Sequence, residues 1–182
     1  IEEDIFMKNK RALVTGASRG IGYEIAKVFS NSGMEVYGTR TKINGMNDAV
    51  SHWLTADFGD QSELVKCIED VEKIAPDILV NCAGINNIDP FVKVKPNEFL
   101  RIHQVNVFAP LMLCKAVLPF MKRKGWGRIV NVSSIWGKVG KECRASYMAS
   151  KFALDGITLA LAAEHSQDGI LANCVAPGFI ET

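Results

Sequence analysis

Apolar residues alternate along this chain between two rhythms. Short, mostly apolar runs predict buried strands at Ala12-Leu13-Val14-Thr15, Val36-Tyr37-Gly38-Thr39, Trp53-Leu54-Thr55-Ala56, Ile78-Leu79-Val80-Asn81, Ile129-Val130-Asn131-Val132 and Leu171 to Ala176. Between them, apolar positions recur three and four residues apart, the period of a helix with one buried face. Ile21, Ile25, Val28 and Phe29 mark a first helix stopped at Gly33, and Leu64, Val65, Ile68, Val71 and Ile74 mark a second, ended by Pro76. A long helix is expected from about Asn97 to Lys124, kinked at Pro110, and another from Tyr147 to about His165. The brief segment Lys42 to Ser51 reads as a turn with little helix.

Strands alternating with helices imply βαβ units, and fully apolar strands imply a parallel sheet covered on both faces. The fold class is therefore α/β, a doubly wound, Rossmann-like sheet. Residues 1–6 precede Met7 and read as an extension, and residues 7–182 as a single domain; 48% hydrophobic residues in 182 suit one core.

Charge narrows the possible partners. Lys+Arg number 21 and Asp+Glu 20, a net charge of +1, which offers no strong attraction to nucleic acid or to an anionic membrane. The run Lys122-Arg123-Lys124 reads as a solvated helix end complementing the helix dipole. Five cysteines at wide spacings, with no CxxC, read as reduced thiols in a cytoplasmic protein and not as metal ligands. No stretch approaches the roughly 20 apolar residues of a membrane span, and no signal-peptide pattern is expected.

The first strand runs into Thr15-Gly16-Ala17-Ser18-Arg19-Gly20-Ile21-Gly22. Glycines in this spacing, after a buried strand and before an amphipathic helix, suit a dinucleotide. Gly16 permits a tight turn, Gly20 lets backbone approach a pyrophosphate, Gly22 lets the helix pack closely, and the helix N-terminus attracts the anion. No Gly-Lys-Ser/Thr follows, so this is not a P-loop. The second strand ends at Arg40 where a carboxylate would mark NAD; Arg40 and Arg19 could grip a 2′-phosphate, which points to NADP(H).

Tyr147 and Lys151 lie four apart on a helix and share a face; a lysine ammonium there favours the phenolate. Ser134 stands just beyond a strand's carboxyl end. Together Thr15-Gly16-x-x-x-Gly20-x-Gly22, Asn81-Cys82-Ala83-Gly84, Asn106, Ser134, Tyr147-x-x-x-Lys151 and Pro177-Gly178 resemble the short-chain dehydrogenase/reductase family from about Met7 to Thr182. The look is closest to 3-oxoacyl-carrier-protein reductases, through Gly127 to Ser134 and Val175 to Thr182.

The resemblance implies roles. Ser134 would hold a substrate carbonyl, Tyr147 would donate the proton, and Lys151 would hold the nicotinamide ribose and lower the tyrosine pKa. Asn106 would fix a water that helps refill Tyr147. Asp57 and Phe58 would meet the adenine, Ala83 and Gly84 its ribose, and Pro177, Gly178, Ile180 and Thr182 the nicotinamide. Cys82, where the family usually has Asn, would contribute mainly backbone, and Ser133 would pack structurally. A homo-oligomer, a dimer or tetramer, is implied. So are a C-terminal lid and a last strand, which would lie beyond Thr182. Asp168, where carrier-dependent relatives have an arginine, favours a free small carbonyl or alcohol substrate over an acidic carrier protein. A non-catalytic dinucleotide binder or an inactive short form stays open as the alternative.

Overall fold

The computed structural model describes residues 7–42 and 47–180. The expected extension at 1–6, part of the turn between Lys42 and Ser51, and Thr182 lie outside the described residues. The strands are β1 (Arg11–Val14), β2 (Glu35–Arg40), β3 (His52–Thr55), β4 (Ile78–Asn81), β5 (Gly127–Val132) and β6 (Ile170–Val175). Among the described residues they form one sheet in the order β3-β2-β1-β4-β5-β6, every pair parallel. The chain begins in the middle, winds to one edge, then returns to build the other half. That reversal leaves a crevice at the carboxyl ends of β1 and β4, where such sheets bind ligands.

Alternation along each strand separates two cores. Ala12 and Val14 face α1 (Gly20–Asn31), with Ala26, Val36 and Val80. Leu13, Leu79 and Ile129 face the opposite layer, with Leu64 and Val71 of α2 (Gln61–Ile74) and Leu113 and Val117 further along the chain. The helix α2 is started by Asp60, whose carboxylate accepts the N–H groups of Ser62 and Glu63, and ends at Ala75 in the left-handed region (φ 48°) just before Pro76. Over the α1 face, an apolar groove of about 650 Å³ opens between Val28, Phe29, Val80, Val130 and Ile180.

The long helix departs from the expectation. It consists of α3 (Pro96–His103), a π-helical turn (Gln104–Phe108) and α4 (Ala109–Lys124). The break is centred on the wide turn, which ends at Phe108, two residues before Pro110, and Pro110 stands where the regular helix resumes as α4. The stretch Pro96–Lys124 is long and apolar enough, by length and composition alone, to cross a membrane. That departs from the expectation of no such stretch. Half of its most apolar window is buried, against α2 and against α5 (Ala145–His165), which identifies a core helix.

The basic end of α4 stands in the last turn of the helix, but two of its side chains are paired and not simply solvated: Lys122 pairs with Asp168 at 3.1 Å, and Lys124 with Asp77. Asp77 also accepts the Arg11 N–H at 2.9 Å, which pins the start of β1 to α4. Burial pushes the Asp77 carboxyl up, but Lys124 and the Arg11 N–H outweigh it and hold it below its ordinary value. A carboxyl depressed by folding stabilises the fold above its unfolded pKa and loses that contribution as pH falls through the folded value. Asp77→Ala is expected to cost about 1–3 kcal/mol at neutral pH, the range for an orphaned buried N–H. Urea melts should show the difference from the parent shrinking in acid, down to what the orphaned Arg11 N–H alone costs.

Candidate active site

Hydroxyls draw the sheet's carboxyl ends together. Thr15 Oγ1 accepts the N–H groups of Cys82 and Ala83, each at 2.9 Å, and so ties β1 to β4. Thr39 Oγ1 accepts the Gly16 N–H at 3.0 Å and ties the same turn to β2. Gly16 has φ +67°, and a Cβ on it would stand 3.0 Å from the Ala83 backbone. A Cβ on Gly22 would lie 2.4 Å from the Gly16 carbonyl oxygen. Gly22 therefore serves the packing of α1 onto the turn itself, a closer contact than helix against sheet.

A cleft of about 770 Å³ crosses these ends. Gly16, Ser18, Arg19, Gly20, Ile21 and Gly22 form its floor at the mouth of α1, with Arg40 at the end of β2. Asp57 and Phe58 follow β3, and Cys82, Ala83 and Gly84 follow β4. Ser134 follows β5, Tyr147 and Lys151 come from α5, and Pro177, Gly178 and Ile180 follow β6. Every dinucleotide residue expected from the sequence, apart from Thr182, borders this one space. Phe58 is 4% exposed and packs in the core, so its ring is spent on the fold. Asp57 accepts the Gly59 N–H at 2.8 Å and lies 3.9 Å from Arg101.

The cleft fits a phosphorylated dinucleotide. The Arg40 guanidinium lies 4.9 Å over the Trp53 ring, its Nε is 3.4 Å from Thr55 Oγ1, and its buried Nη1 has no hydrogen-bond partner. A buried cationic donor without an acceptor is a costly arrangement, and an anionic oxygen would relieve it.

At the other end, Ser134 Oγ accepts the Trp136 N–H at 3.2 Å and caps the short turn Ile135–Gly137. One lone pair is thus engaged, and the hydroxyl hydrogen faces Tyr147. Ser133 turns away, 3.4 Å from the Lys151 carbonyl, in keeping with the structural reading of that residue. Lys151 is 4% exposed, donates to the Val132 carbonyl at 2.8 Å, and stands 5.5 Å from the Tyr147 ring centre. Burial lowers its pKa to about 8, against the partial opposition of Cys82, Cys174 and Asp155.

One expectation needs correction. Burial raises the Tyr147 pKa, opposed by the Ser134 hydroxyl and by Arg144, and Lys151 is not among the groups that lower it. The physical reason is that the ammonium is turned to the Val132 carbonyl and is itself weakened by burial. In this structure Tyr147 keeps its proton at neutral pH and so carries one to deliver.

Asn106 stands behind the cleft, in the π turn. Its Oδ1 accepts the Ile85 N–H at 2.9 Å, and its Nδ2 donates to the Ile85 carbonyl at 2.9 Å and to Ser150 Oγ at 3.0 Å. Both amide hydrogens and one oxygen lone pair are engaged, so the side chain braces the loop after β4 against α5. Burial raises the Cys82 thiol, with Lys151 opposing, which leaves it an inert thiol at neutral pH. Asp168, expected as a bare acidic charge, is paired with Lys122 at 3.1 Å and with His165 at 3.0 Å. Compensated in this way, it no longer argues against an acidic partner. Arg144, one turn before Tyr147, has a buried Nη1 without a hydrogen-bond partner and helps hold the phenol pKa down against burial.

This arrangement has relatives. The family profile described as short chain dehydrogenase matches residues 10–182, and the chain belongs to that family of oxidoreductases. The 3-oxoacyl-[acyl-carrier-protein] reductase FabG of Pseudomonas aeruginosa is 37% identical over 188 residues, which span 97% of this chain and 76% of that protein. A short-chain dehydrogenase from Streptomyces avermitilis superposes with a TM-score of 0.90 at 32% identity, covering 96% of this chain and 67% of the other. A gluconate 5-dehydrogenase from Burkholderia cenocepacia, solved with NADP and tartrate, superposes with a TM-score of 0.86 at 28% identity, covering 96% and 73%. Among the described residues no cluster of His, Cys, Asp and Glu could hold a metal ion.

Proposed function

We propose that this chain is an NADP(H)-dependent oxidoreductase that interconverts a carbonyl and a secondary alcohol. The observation that carries the reading is the shared cleft: the glycine turn and Arg40 at one end, Ser134, Tyr147 and Lys151 at the other. NADP(H), when bound, supplies or accepts the hydride. Ser134, whose hydroxyl lies within hydrogen-bond reach of Tyr147, would turn its hydrogen to the carbonyl oxygen, and Tyr147 Oη delivers its proton to the same atom in reduction. Lys151 would hold the nicotinamide ribose. Asn106 would meet a relay water through its main chain, because its amide is engaged.

For the coenzyme, Arg40 is the deciding residue. Nicotinamide fluorescence titrations should give tight NADPH and weak NADH binding. Arg40→Ala should weaken NADPH by roughly 10–100-fold, the worth of hydrogen bonds to a charged group, and leave NADH unchanged. Equal binding of both coenzymes by the parent would overturn the preference, and binding without turnover on a broad carbonyl panel would favour a non-catalytic binder.

The substrate is a small carbonyl or alcohol, and two sources compete. The likeness to 3-oxoacyl-carrier-protein reductase supports a 3-oxoacyl thioester, and the likeness to a gluconate dehydrogenase supports a free sugar-derived acid. We place the protein in the cytoplasm, in keeping with its five free thiols, and as a homo-oligomer, in keeping with exposed Phe152 and Leu159 on α5. Residues 7–182 would act as one unit, with 1–6 as an extension.

A further inference from the structure

Asp155 takes no part in the reaction outlined above, yet it lies one turn beyond Lys151 on α5 and is 8% exposed. Its Oδ2 stands 2.7 Å from Lys138 Nζ, on the residue that closes the short turn after Ser134. The Ser133 hydroxyl and the Cys174 thiol also face it. Neither carboxylate oxygen has a hydrogen bond of good geometry, so Asp155 is held by Lys138 together with these two neighbouring donors. A buried carboxylate of this kind is costly, and an apolar side chain of similar size would fill the site at lower cost.

The surroundings are close-packed. A Cβ on Gly137 would meet Ser133 Oγ at 2.9 Å, Lys151 Cβ at 3.1 Å and Asp155 Oδ2 at 3.3 Å. The segment carrying Ser134 is therefore pressed onto the helix carrying Tyr147 and Lys151, and the Lys138–Asp155 ion pair crosses that seam. On the basis of the function proposed above, we propose that Asp155, anchored by Lys138, is a positioning residue that ties the Ser134 turn to the catalytic helix and supplies Lys151 with a fixed counter-charge.

The groups facing Lys151 come from three elements. Tyr147 and Asp155 share its helix, Cys82 follows β4, and Cys174 lies on β6. Burial raises the Cys82 thiol and pushes Cys174 up to about 11, so neither is an anion at neutral pH. Tyr147 is a neutral phenol there as well. Asp155, held low by Lys138 and the neighbouring donors against its burial, is the anion of the set. Lys151 itself sits near pH 8, where a small change in neighbouring charge alters its protonation within the working range.

Opposite changes of charge must then have opposite effects. The test is the pH dependence of kcat between about pH 6 and 10, across the lysine range, for Asp155→Asn, Asp155→Glu and Lys138→Met in the full chain with NADPH and an active carbonyl substrate. Asp155→Asn should move the alkaline limb down, the direction set by removing a nearby anion, by at least about 0.3 pH units. Lys138→Met leaves the carboxylate unopposed and should move the limb up. Asp155→Glu should restore the parental profile. Shifts of the same sign in Asp155→Asn and Lys138→Met, or none in either, would overturn the proposal. Lys138 is half-exposed, so its variant stays informative if Asp155→Asn fails to fold. Without turnover on any carbonyl, the reaction reading fails separately. The Nζ NMR titration of Lys151 in isotope-labelled protein then decides the Asp155 proposal by the same opposite displacements.

Discussion

Replacing Tyr147 by Phe is expected to reduce kcat by about 10²–10⁴-fold, the usual contribution of a positioned general acid, while NADPH affinity stays at the parental value. The substitution removes one oxygen from a side chain whose ring stays packed beside Lys151 and whose helix is fixed by other contacts. Lys151 keeps its hydrogen bond to the Val132 carbonyl, and Ser134 keeps its cap on Trp136. Proton delivery to the carbonyl oxygen is lost, and the binding surface is retained. Steady-state rates with NADPH and a carbonyl substrate, read beside a fluorescence titration, separate the two. A variant that turns over within a few-fold of the parent removes Tyr147 from the mechanism. Because burial holds the phenol above its ordinary pKa, the parent should keep its proton donor throughout the neutral range.

Gly22→Ala is expected to have the larger effect on binding. The added methyl would sit 2.4 Å from the Gly16 carbonyl oxygen and 2.9 Å from its carbonyl carbon. Both are backbone atoms, locked by the Thr39 hydroxyl and by the nearness of Ala83, so no flexible side chain can yield. Either α1 moves out or the turn deforms. Overpacking of this kind costs about 1–3 kcal/mol, and the turn is the expected pyrophosphate cradle. NADPH binding should fall below detection in a titration that saturates the parent, with a lowered Tm. A folded variant of parental affinity would show that the turn tolerates a wider approach and does not hold the phosphates closely.

Much of the architecture was legible in the order of apolar residues. Strand and helix periods differ, and mostly apolar strands can only be buried on both sides, so the parallel α/β sheet followed from pattern alone. The glycine turn could be read because three glycines between a strand and a helix serve one geometry, and Arg40 because it ends the second strand. The break in the long helix was misplaced. Pro110 is conspicuous in a sequence, whereas a π turn is one extra residue in a ring of hydrogen bonds and leaves no mark in composition.

The sequence by itself determined the strand order's raw material, the glycine turn and the Tyr147/Lys151 pair, because each depends on neighbours within a few residues of the chain. Tertiary structure decided what those groups are. Only packing spends the Asn106 amide on Ile85 and Ser150, turns Lys151 to Val132 and brings its pKa to about 8, and raises the Tyr147 phenol when spacing had suggested the reverse. Only packing sets Lys138 against Asp155 and Lys122 against Asp168, residues far apart in sequence whose charges had no visible partners. Burial and long-range charge are sums over everything the fold brings near, and no local window of residues contains them.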